Sequence, residues 1–213
     1  MRAALSTFAI AFVVVACGPL PGGGNAVTAA SVAVQSSDLP SGMQKCDVSG
    51  DIDAYLAKVK AKDPTHYTTI KQEWDDAKSH GATAGQVAVY ADTAEHCAAF
   101  QSNSSDITTA TFKLVVNFVI EFKDEAAAAK GYTSESILGF SPSTIKSSGS
   151  VPVTEGTKTG LSANSIVLTL ELGGQSFYVA VWQNKKFMSI LAVLNFDQAT
   201  STKIATAVNG RIK

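Results

Sequence analysis

The stretch TFKLVVNFVIEFK, residues 111–123, carries the most regular strand pattern in the sequence and decides the fold predicted from it. Its large apolar side chains stand at alternate positions: Phe112, Leu114, Val116, Phe118, Ile120 and Phe122. The intervening positions hold Lys113, Asn117, Glu121 and Lys123 together with two valines. Successive side chains of a strand point to opposite faces of a sheet. The stretch therefore predicts a long strand with one face in the core and the other partly in water.

Four other segments have strand character: residues 86–91, 165–172, 176–183 and 186–196. The last three are separated only by residues 173–175 and by residues 184–185. Connections this short force neighbouring strands to run antiparallel. We therefore expect a mostly antiparallel sheet of about five strands, with a three-strand meander at its C-terminal end.

Helical periodicity dominates the region before the first strand. Apolar residues at 52, 55, 56 and 59 and then at 67, 70, 74 and 77 repeat with the 3.6-residue period of a helix, and Asp63-Pro64 separates the two sets. Further helices are expected at 93–101, 125–132 and 198–212, each after an aspartate (Asp92, Asp124 and Asp197) that can accept the first free amides. The predicted class is α+β, with a helical hairpin and further helices packed on the sheet.

Residues 133–164 are rich in Ser, Gly and Thr and contain Pro142 and Pro152. Loops of this length in a compact domain usually form lids or binding loops, or are disordered. We expect a loop at the rim of a binding site, with an edge strand at 150–154 as an alternative.

The N-terminus carries an apolar run, residues 3–15, after the single charge of Arg2 and directly before a cysteine. The residues VVAC at 14–17 resemble the lipobox of bacterial lipoprotein precursors. In that family the cysteine sulfur receives a diacylglyceryl group, the preceding peptide bond is cut, and the new amine is usually acylated, for example with palmitate. The resemblance implies a signal peptide at 1–16, a lipidated Cys17 and an extracytoplasmic, membrane-anchored protein. The alternative is an ordinary secretory signal cut within residues 22–30.

The apolar run is too short for a permanent span, because a membrane-crossing helix needs about 20 apolar residues. Residues 17–37 contain Gly, Pro, Ala, Val and Ser and no charge before Asp38. That composition predicts a flexible tether with a reach of about 25 Å. A single domain is expected over 38–213.

Three cysteines are present. If Cys17 carries lipid, Cys46 and Cys97 remain as a pair, which in an exported protein favours a disulfide. The alternatives are two buried free thiols or, less favoured by the spacing, a zinc site.

Charge and motifs exclude several function classes. Without Arg2 the chain has 16 basic and 18 acidic residues (17 − 1 and 18), so neither nucleic acid nor an anionic membrane surface is expected as a partner. His66, His80 and His96 fall on three different predicted elements. Neither a Gly-x-Ser-x-Gly motif, a phosphate loop, a dinucleotide fingerprint nor a His-x-x-x-His pair occurs. We expect no catalysis, no cofactor and no metal.

A binding site is suggested by strands that are apolar on both faces. Tyr178 and Trp182 share one face of the strand at 176–183, and its other face is also apolar. Phe187 lies on the neighbouring strand. Such a sheet must be covered on both faces, either by helices or by a ligand. Tyr178, Trp182 and Phe187 are the candidate ligand-binding residues if a groove remains.

The C-terminal residues 203–213, KIATAVNGRIK, follow the strand at 186–196. This ending resembles that of extracytoplasmic domains of actinobacterial-type lipoproteins and kinase sensor modules, and the resemblance implies binding rather than catalysis. We therefore expect a membrane-anchored envelope protein that binds an apolar small molecule or an envelope protein. Two alternatives stay open: a hydrolase whose Ser and His meet on folding, and a structural or assembly lipoprotein.

Overall fold

An eight-stranded antiparallel sheet forms the centre of the protein in the computed structural model, which describes residues 26–104, 107–134, 136, 139–147 and 151–213. Its strands are β1 Gln44–Lys45, β2 Gly50–Asp51, β3 Ala82–Ala91, β4 Leu114–Phe122, β5 Val153–Glu155, β6 Asn164–Leu172, β7 Gln175–Asn184 and β8 Phe187–Leu194. The order across the sheet is β1-β3-β4-β8-β7-β6-β5, and β2 also pairs with β3. The predicted α+β class and the β6-β7-β8 meander are confirmed. The sheet is wider than the five strands expected, because three short strands extend its edges.

Seven α-helices occur in the described part of the chain. They are α1 Ala29–Val32, α2 Ile52–Lys62, α3 Pro64–Ser79, α4 Ala94–Ser102, α5 Glu125–Ser134, α6 Pro142–Ser147 and α7 Gln198–Gly210. Short 3-10 turns span Ser36–Asp38, Ile107–Thr109 and Gly156–Thr159. The helical hairpin is α2 and α3, as predicted.

Aspartate caps begin most of these helices. Asp51, Asp63, Asp124 and Asp197 each accept a hydrogen bond from the amide three residues later, at 2.7–3.0 Å. The prediction for Asp92 was wrong: Thr93 caps α4 through its hydroxyl, which accepts from the amide of His96 at 3.1 Å. Asp92 instead pairs with the imidazole of His96.

The first face of the sheet carries the larger core. Leu114, Val116, Phe118, Ile120 and Phe122 of β4 are buried there, as their alternation predicted. α2, α3 and α4 pack on β3, α5 packs on β4, β7 and β8, and α6 packs on β6. Burial at about 25 cal/mol per Å² of apolar surface makes this face the main source of stability.

The second face of β4 was predicted to be partly wet; Lys113 and Lys123 at its two ends are exposed, but its middle is buried. Val115 and Val119 belong to a second buried cluster, and Asn117 is 0% exposed. α1 packs on β3 and β4, and α7 packs on β7. The domain therefore has three layers, with helices on both faces of one sheet.

The region 133–164 contains more regular structure than a loop. α5 continues to Ser134, and α6 and β5 follow. β5 pairs with β6 through Val153↔Leu168, which confirms an edge strand close to the alternative at 150–154. Residues 148–150 lie outside the described part of the chain.

Cys46 and Cys97 form a disulfide between two residues 51 positions apart in the chain, with a Cα–Cα distance of 5.3 Å. It joins the segment after β1 to α4. Among the described residues, no helix has both the length and the apolar character needed to cross a membrane. Cys17 and the lipobox lie outside the described residues.

Candidate functional site

The three residues predicted to bind a ligand are core residues. Tyr178, Trp182 and Phe187 are all buried in the second-face cluster, with Trp182 at 0% exposure. Burial raises the pKa of Tyr178 to about 12, and a hydrogen bond with Thr202 of α7 acts in the opposite direction. This corrects the predicted location: helices, not a ligand, cover this face.

Part of the cover comes from a segment expected to be a flexible tether. Residues 27–39, here called the N-terminal arm, lie on the second face with Ala29, Val32, Ala33 and Val34 buried. The predicted boundary of the tether at residue 37 is therefore corrected for its described part. The domain begins before residue 38, because small apolar side chains in the arm pack against the sheet.

Side chains of the sheet bind the main chain of the arm. The Asn117 Oδ1 accepts from the amide of Val34 at 3.0 Å, and the Tyr90 hydroxyl donates to the carbonyl of Val34 at 3.3 Å. Near the start of the arm, Glu121 Oε2 accepts from the amide of Ala29 at 3.3 Å. These bonds satisfy backbone groups that would otherwise be buried without partners.

Arg211 hydrogen-bonds to the other side of the arm. Its Nε donates to the carbonyl of Val32 at 3.1 Å and one Nη to the carbonyl of Ala33 at 3.0 Å. Both Nη atoms also donate to the carboxylate of Asp38, each at 2.8 Å. A guanidinium supplies this planar, forked geometry and a lysine cannot.

An apolar groove does exist, on the opposite face from the one predicted. Leu170, Leu172, Gly173, Gln175 and Phe177 line a groove of about 310 Å³ at the tip of the β6–β7 hairpin. We call it the hairpin groove. Phe177 pairs with Leu170 across the two strands, so both point to the first face, where Leu170 is only partly buried.

The hairpin groove contains the most exposed apolar side chain of the described residues. Leu172 is 65% exposed, and Val153 at 37% is the other exposed large hydrophobic residue in the described part of the chain. Val153 lies opposite Leu168 in the register, on the same face as Leu172. Val153 and Leu172 therefore expose apolar side chains on the same face of the sheet.

Two glycines form the end of this hairpin. Gly173 and Gly174 have φ of +61° and +81°, as a two-residue turn between antiparallel strands requires. The tight turn leaves Leu172 next to the tip of the hairpin, paired with Gln175.

A wider groove of about 880 Å³ lies along the outer face of α7. It is lined by Gln198, Ala199, Thr202, Lys203, Thr206 and Ala207. All six belong to one helix and most are small or polar. This face offers no large apolar side chain and is therefore a suitable control surface.

The histidines were predicted to fall on three elements, but His66 lies on α3, His80 is the C-cap of the same helix, and His96 lies on α4. His66 on α3 is buried, and its Nε2 is 3.5 Å from the Tyr55 hydroxyl. Burial lowers the pKa of His66, against the opposing charge of Asp63. His96 pairs with Asp92, and its ring stacks on Phe112 with centroids 4.2 Å apart.

Neither His66 nor His96 hydrogen-bonds to a serine hydroxyl within the ranges that the structure describes. Groups of three or more potential metal ligands are likewise not found among those residues.

The sequence contained a signal for the hairpin groove. Leu168, Leu170 and Leu172 alternate along the strand at 165–172, and this alternation predicts that all three side chains point inward. The strand continues past the helices that cover its neighbours, and no periodic pattern reveals where a cover ends.

No protein-family model matches the chain, and no curated protein matches it either. Among solved structures, it is similar to the crystal structure of the extracellular domain of PknH from Mycobacterium tuberculosis. The TM-score is 0.44 at 12% sequence identity, and the match covers 86% of this chain and 93% of that chain. A similarity at this level establishes neither a common fold nor a common function.

Proposed function

We propose that the protein is a lipid-anchored, extracytoplasmic binding module that takes an apolar group in the hairpin groove and performs no chemistry of its own. The observation that carries the proposal is that Leu172 and Val153 are both exposed on the same face of the sheet. Both exposed large apolar side chains of the described residues lie on one face of β5 and β6, and Leu172 lines an open groove. Exposed apolar surface on a folded domain often marks a binding site.

The groove has the chemistry of a small binding site. Its five lining residues include two leucines and a phenylalanine and no charged group. Its volume of about 310 Å³ is at the lower limit of ordinary ligand pockets. It therefore suits one or two apolar side chains, or a short acyl or aromatic group.

Location outside the cytoplasm is supported by two independent features. The VVAC motif at 14–17 resembles a lipobox. The disulfide between Cys46 and Cys97 fits an oxidising compartment, where such bonds persist.

A dye titration tests the groove. The chain from residue 18 onward, which lacks the predicted leader and lipidated cysteine, is titrated with 8-anilinonaphthalene-1-sulfonate. We expect one saturable site, weakened about tenfold or more by Leu172→Asp, since burying a leucine contributes about 1.5–3 kcal/mol. The matched control, Ala207→Asp on the outer face of α7, should bind as the unmodified protein does. Loss of binding in Ala207→Asp but not in Leu172→Asp would contradict the proposed site.

Mass spectrometry tests the anchor. The N-terminal peptide of the protein from its own host should begin at Cys17 and carry acyl mass. An unmodified N-terminus beyond residue 20 would contradict the anchor and leave the groove untouched.

A further inference from the structure

We infer that the N-terminal arm orients the domain so that the hairpin groove faces away from the membrane and takes an extended apolar segment of a partner protein. This inference rests on the proposed function, because it assumes that Cys17 carries the lipid. It adds to the proposed function the direction in which the hairpin groove faces and the class of partner that the groove binds.

The arm approaches the sheet at one end. The amide of Ala29 donates to Glu121, near the last residue of β4. Glu121 also pairs with Lys186, which follows the end of β7 and precedes β8, with Nζ–Oε1 at 2.6 Å. We call this end of the sheet the arm pole; it contains the β7–β8 turn.

The hairpin groove lies at the other end. β7 runs from Gln175, at the groove, to Asn184, at the arm pole. Nine steps of about 3.3 Å each separate these residues by about 30 Å. The strand is continuous, so the two ends cannot approach one another.

The chain that joins the lipid to the arm is short. Eleven residues lie between Cys17 and Ala29, whose amide bonds to Glu121 of the sheet. The twelve residue steps from Cys17 to Ala29 span at most about 40 Å. The arm pole is therefore held within that distance of the lipid, and turning the groove toward the bilayer would require the linking chain to extend over about 30 Å, the length of β7.

Docking of the arm makes this orientation possible. Had residues up to 37 been free, as the composition suggested, the domain could rotate on a longer tether. Asn117, Tyr90 and Arg211 instead hold the main chain of residues 32–34 on the sheet. The tether is attached to a rigid three-layer body at a defined place.

A protein segment fits the groove better than the other occupants. The bilayer lies at the opposite pole. A second copy would need an interface of about 800 Å² on each partner. Leu172 and Val153 are the two large apolar side chains exposed in the described ranges, too few for such an interface. An extended segment lying along β6 would place one or two apolar side chains beside Leu170 and Phe177.

Energy transfer from the domain to the bilayer tests the placement. The full lipidated chain is reconstituted in phosphatidylethanolamine/phosphatidylglycerol vesicles that contain a rhodamine-labelled lipid. A donor dye is attached through Lys123→Cys, exposed at the arm pole, or Glu171→Cys, exposed near the hairpin tip. We expect clearly higher transfer from position 123 than from position 171. Equal or reversed transfer, or movement of the dye at 171 into the hydrocarbon, would overturn the inference.

The arm itself is tested in the same vesicles. Arg211→Lys keeps the charge but loses the forked contacts. It should reduce the difference in transfer between positions 123 and 171, while circular dichroism confirms that the domain is folded. An unchanged difference would show that the arm contacts do not set the orientation.

A defined peptide tests the partner. The probe is a fluorescent octapeptide of alternating leucine and serine with a lysine at each end, measured by anisotropy on the chain from residue 18 onward. We expect binding that Leu172→Asp weakens at least tenfold and Ala207→Asp leaves unchanged. Failure of the peptide while the dye still binds at Leu172 would overturn this inference alone, whereas failure of both would overturn the proposed function.

Self-association is measured on the same samples. Sedimentation should show a monomer at the concentrations used. A dimer that Leu172→Asp dissolves would assign the groove to a second copy and overturn the inferred partner.

Discussion

The side-chain oxygen of Asn117 accepts a hydrogen bond at 3.0 Å from the amide of Val34, a residue 83 positions earlier in the chain. The Asn117 amide nitrogen donates at 3.0 Å to the hydroxyl of Ser189 and to the carbonyl of Ile190. One fully buried side chain thus links the N-terminal arm to β4 and β8. Polar groups buried in this way contribute most when every partner is present.

Asn117→Ala should therefore destabilise the domain strongly. It leaves the Val34 amide without its side-chain acceptor, and such losses cost about 1–3 kcal/mol each. We expect a decrease of about 3 kcal/mol in the free energy of unfolding by urea. Asn103→Ala, at an exposed asparagine that bonds to Thr109 at 3.2 Å, is the control and should cost less than about 1 kcal/mol. Equal effects would contradict the role given to Asn117.

Arg211→Lys should loosen the arm without unfolding the core. The forked contacts to Asp38 and to two carbonyls cannot all be kept by an ammonium group. We expect about 1–2 kcal/mol of destabilisation and faster hydrogen exchange at the amide of Val34. Exchange on β8 should change much less. Uniformly faster exchange would indicate that the arm and core open together.

Gly131→Ala should be costly although the site is helical. A Cβ there would lie 2.5 Å from Cζ of Phe122, so α5 would have to move away from β4. We expect a loss of about 1–3 kcal/mol from overpacking. Gly210→Ala, where a Cβ meets nothing within 4 Å, is the matched control and should be neutral or stabilising by up to about 1 kcal/mol. A neutral Gly131→Ala would show that this contact is not tight.

Acidification should weaken the fold through His66. Burial lowers the pKa of His66 in the folded state below its ordinary value of 6.5. At a pH between the folded and the unfolded pKa of His66, the unfolded chain binds more protons than the folded one. The contribution of His66 to the free energy of unfolding is therefore fully present above pH 6.5 and falls as the pH drops toward the folded pKa. His66→Gln should flatten the unfolding free energy in this window. A profile that keeps its slope in the variant would assign the effect to other groups.

Removal of the disulfide should lower stability by up to about 4 kcal/mol, from the loop-entropy estimate for a closed loop of about 50 residues. Cys46→Ser with Cys97→Ser is compared with the oxidised protein by thermal unfolding. The reduced native protein should match the double variant. If reduction has no effect on unfolding, the bond contributes nothing to the stability of the domain.

Local pattern was sufficient for most of the fold. β4, the β6-β7-β8 meander and the α2–α3 hairpin followed from periods of two and 3.6 residues and from short connections, all of which involve residues close in sequence. The pairing of Cys46 with Cys97 followed from counting cysteines. The strands and helices are determined by residues close in sequence, and the cysteine pairing has few alternatives.

The candidate site could not be found in that way. Tyr178 and Trp182 looked available because both faces of β7 are apolar, yet α7 packs on one of these faces and both side chains are buried. Leu172 looked like a core residue because it alternates with Leu170, yet the strand extends beyond its cover. Alternation shows which side chains share a face and does not show what lies above them.

The sequence by itself determined the longer helices and strands, the antiparallel meander and the cysteine pair, because periodicity, turn length and cysteine number act over short distances or few choices. Only the tertiary structure decided that residues 27–39 are docked and that the apolar opening is at Leu172. The physical reason is that a polar residue such as Asn117 occupies the same position in the alternating pattern of a strand in either case. Its side chain can hydrogen-bond to water or to the backbone of a distant segment, and the pattern does not distinguish the two. Its partners, Val34 and Ser189, are brought to it only by folding.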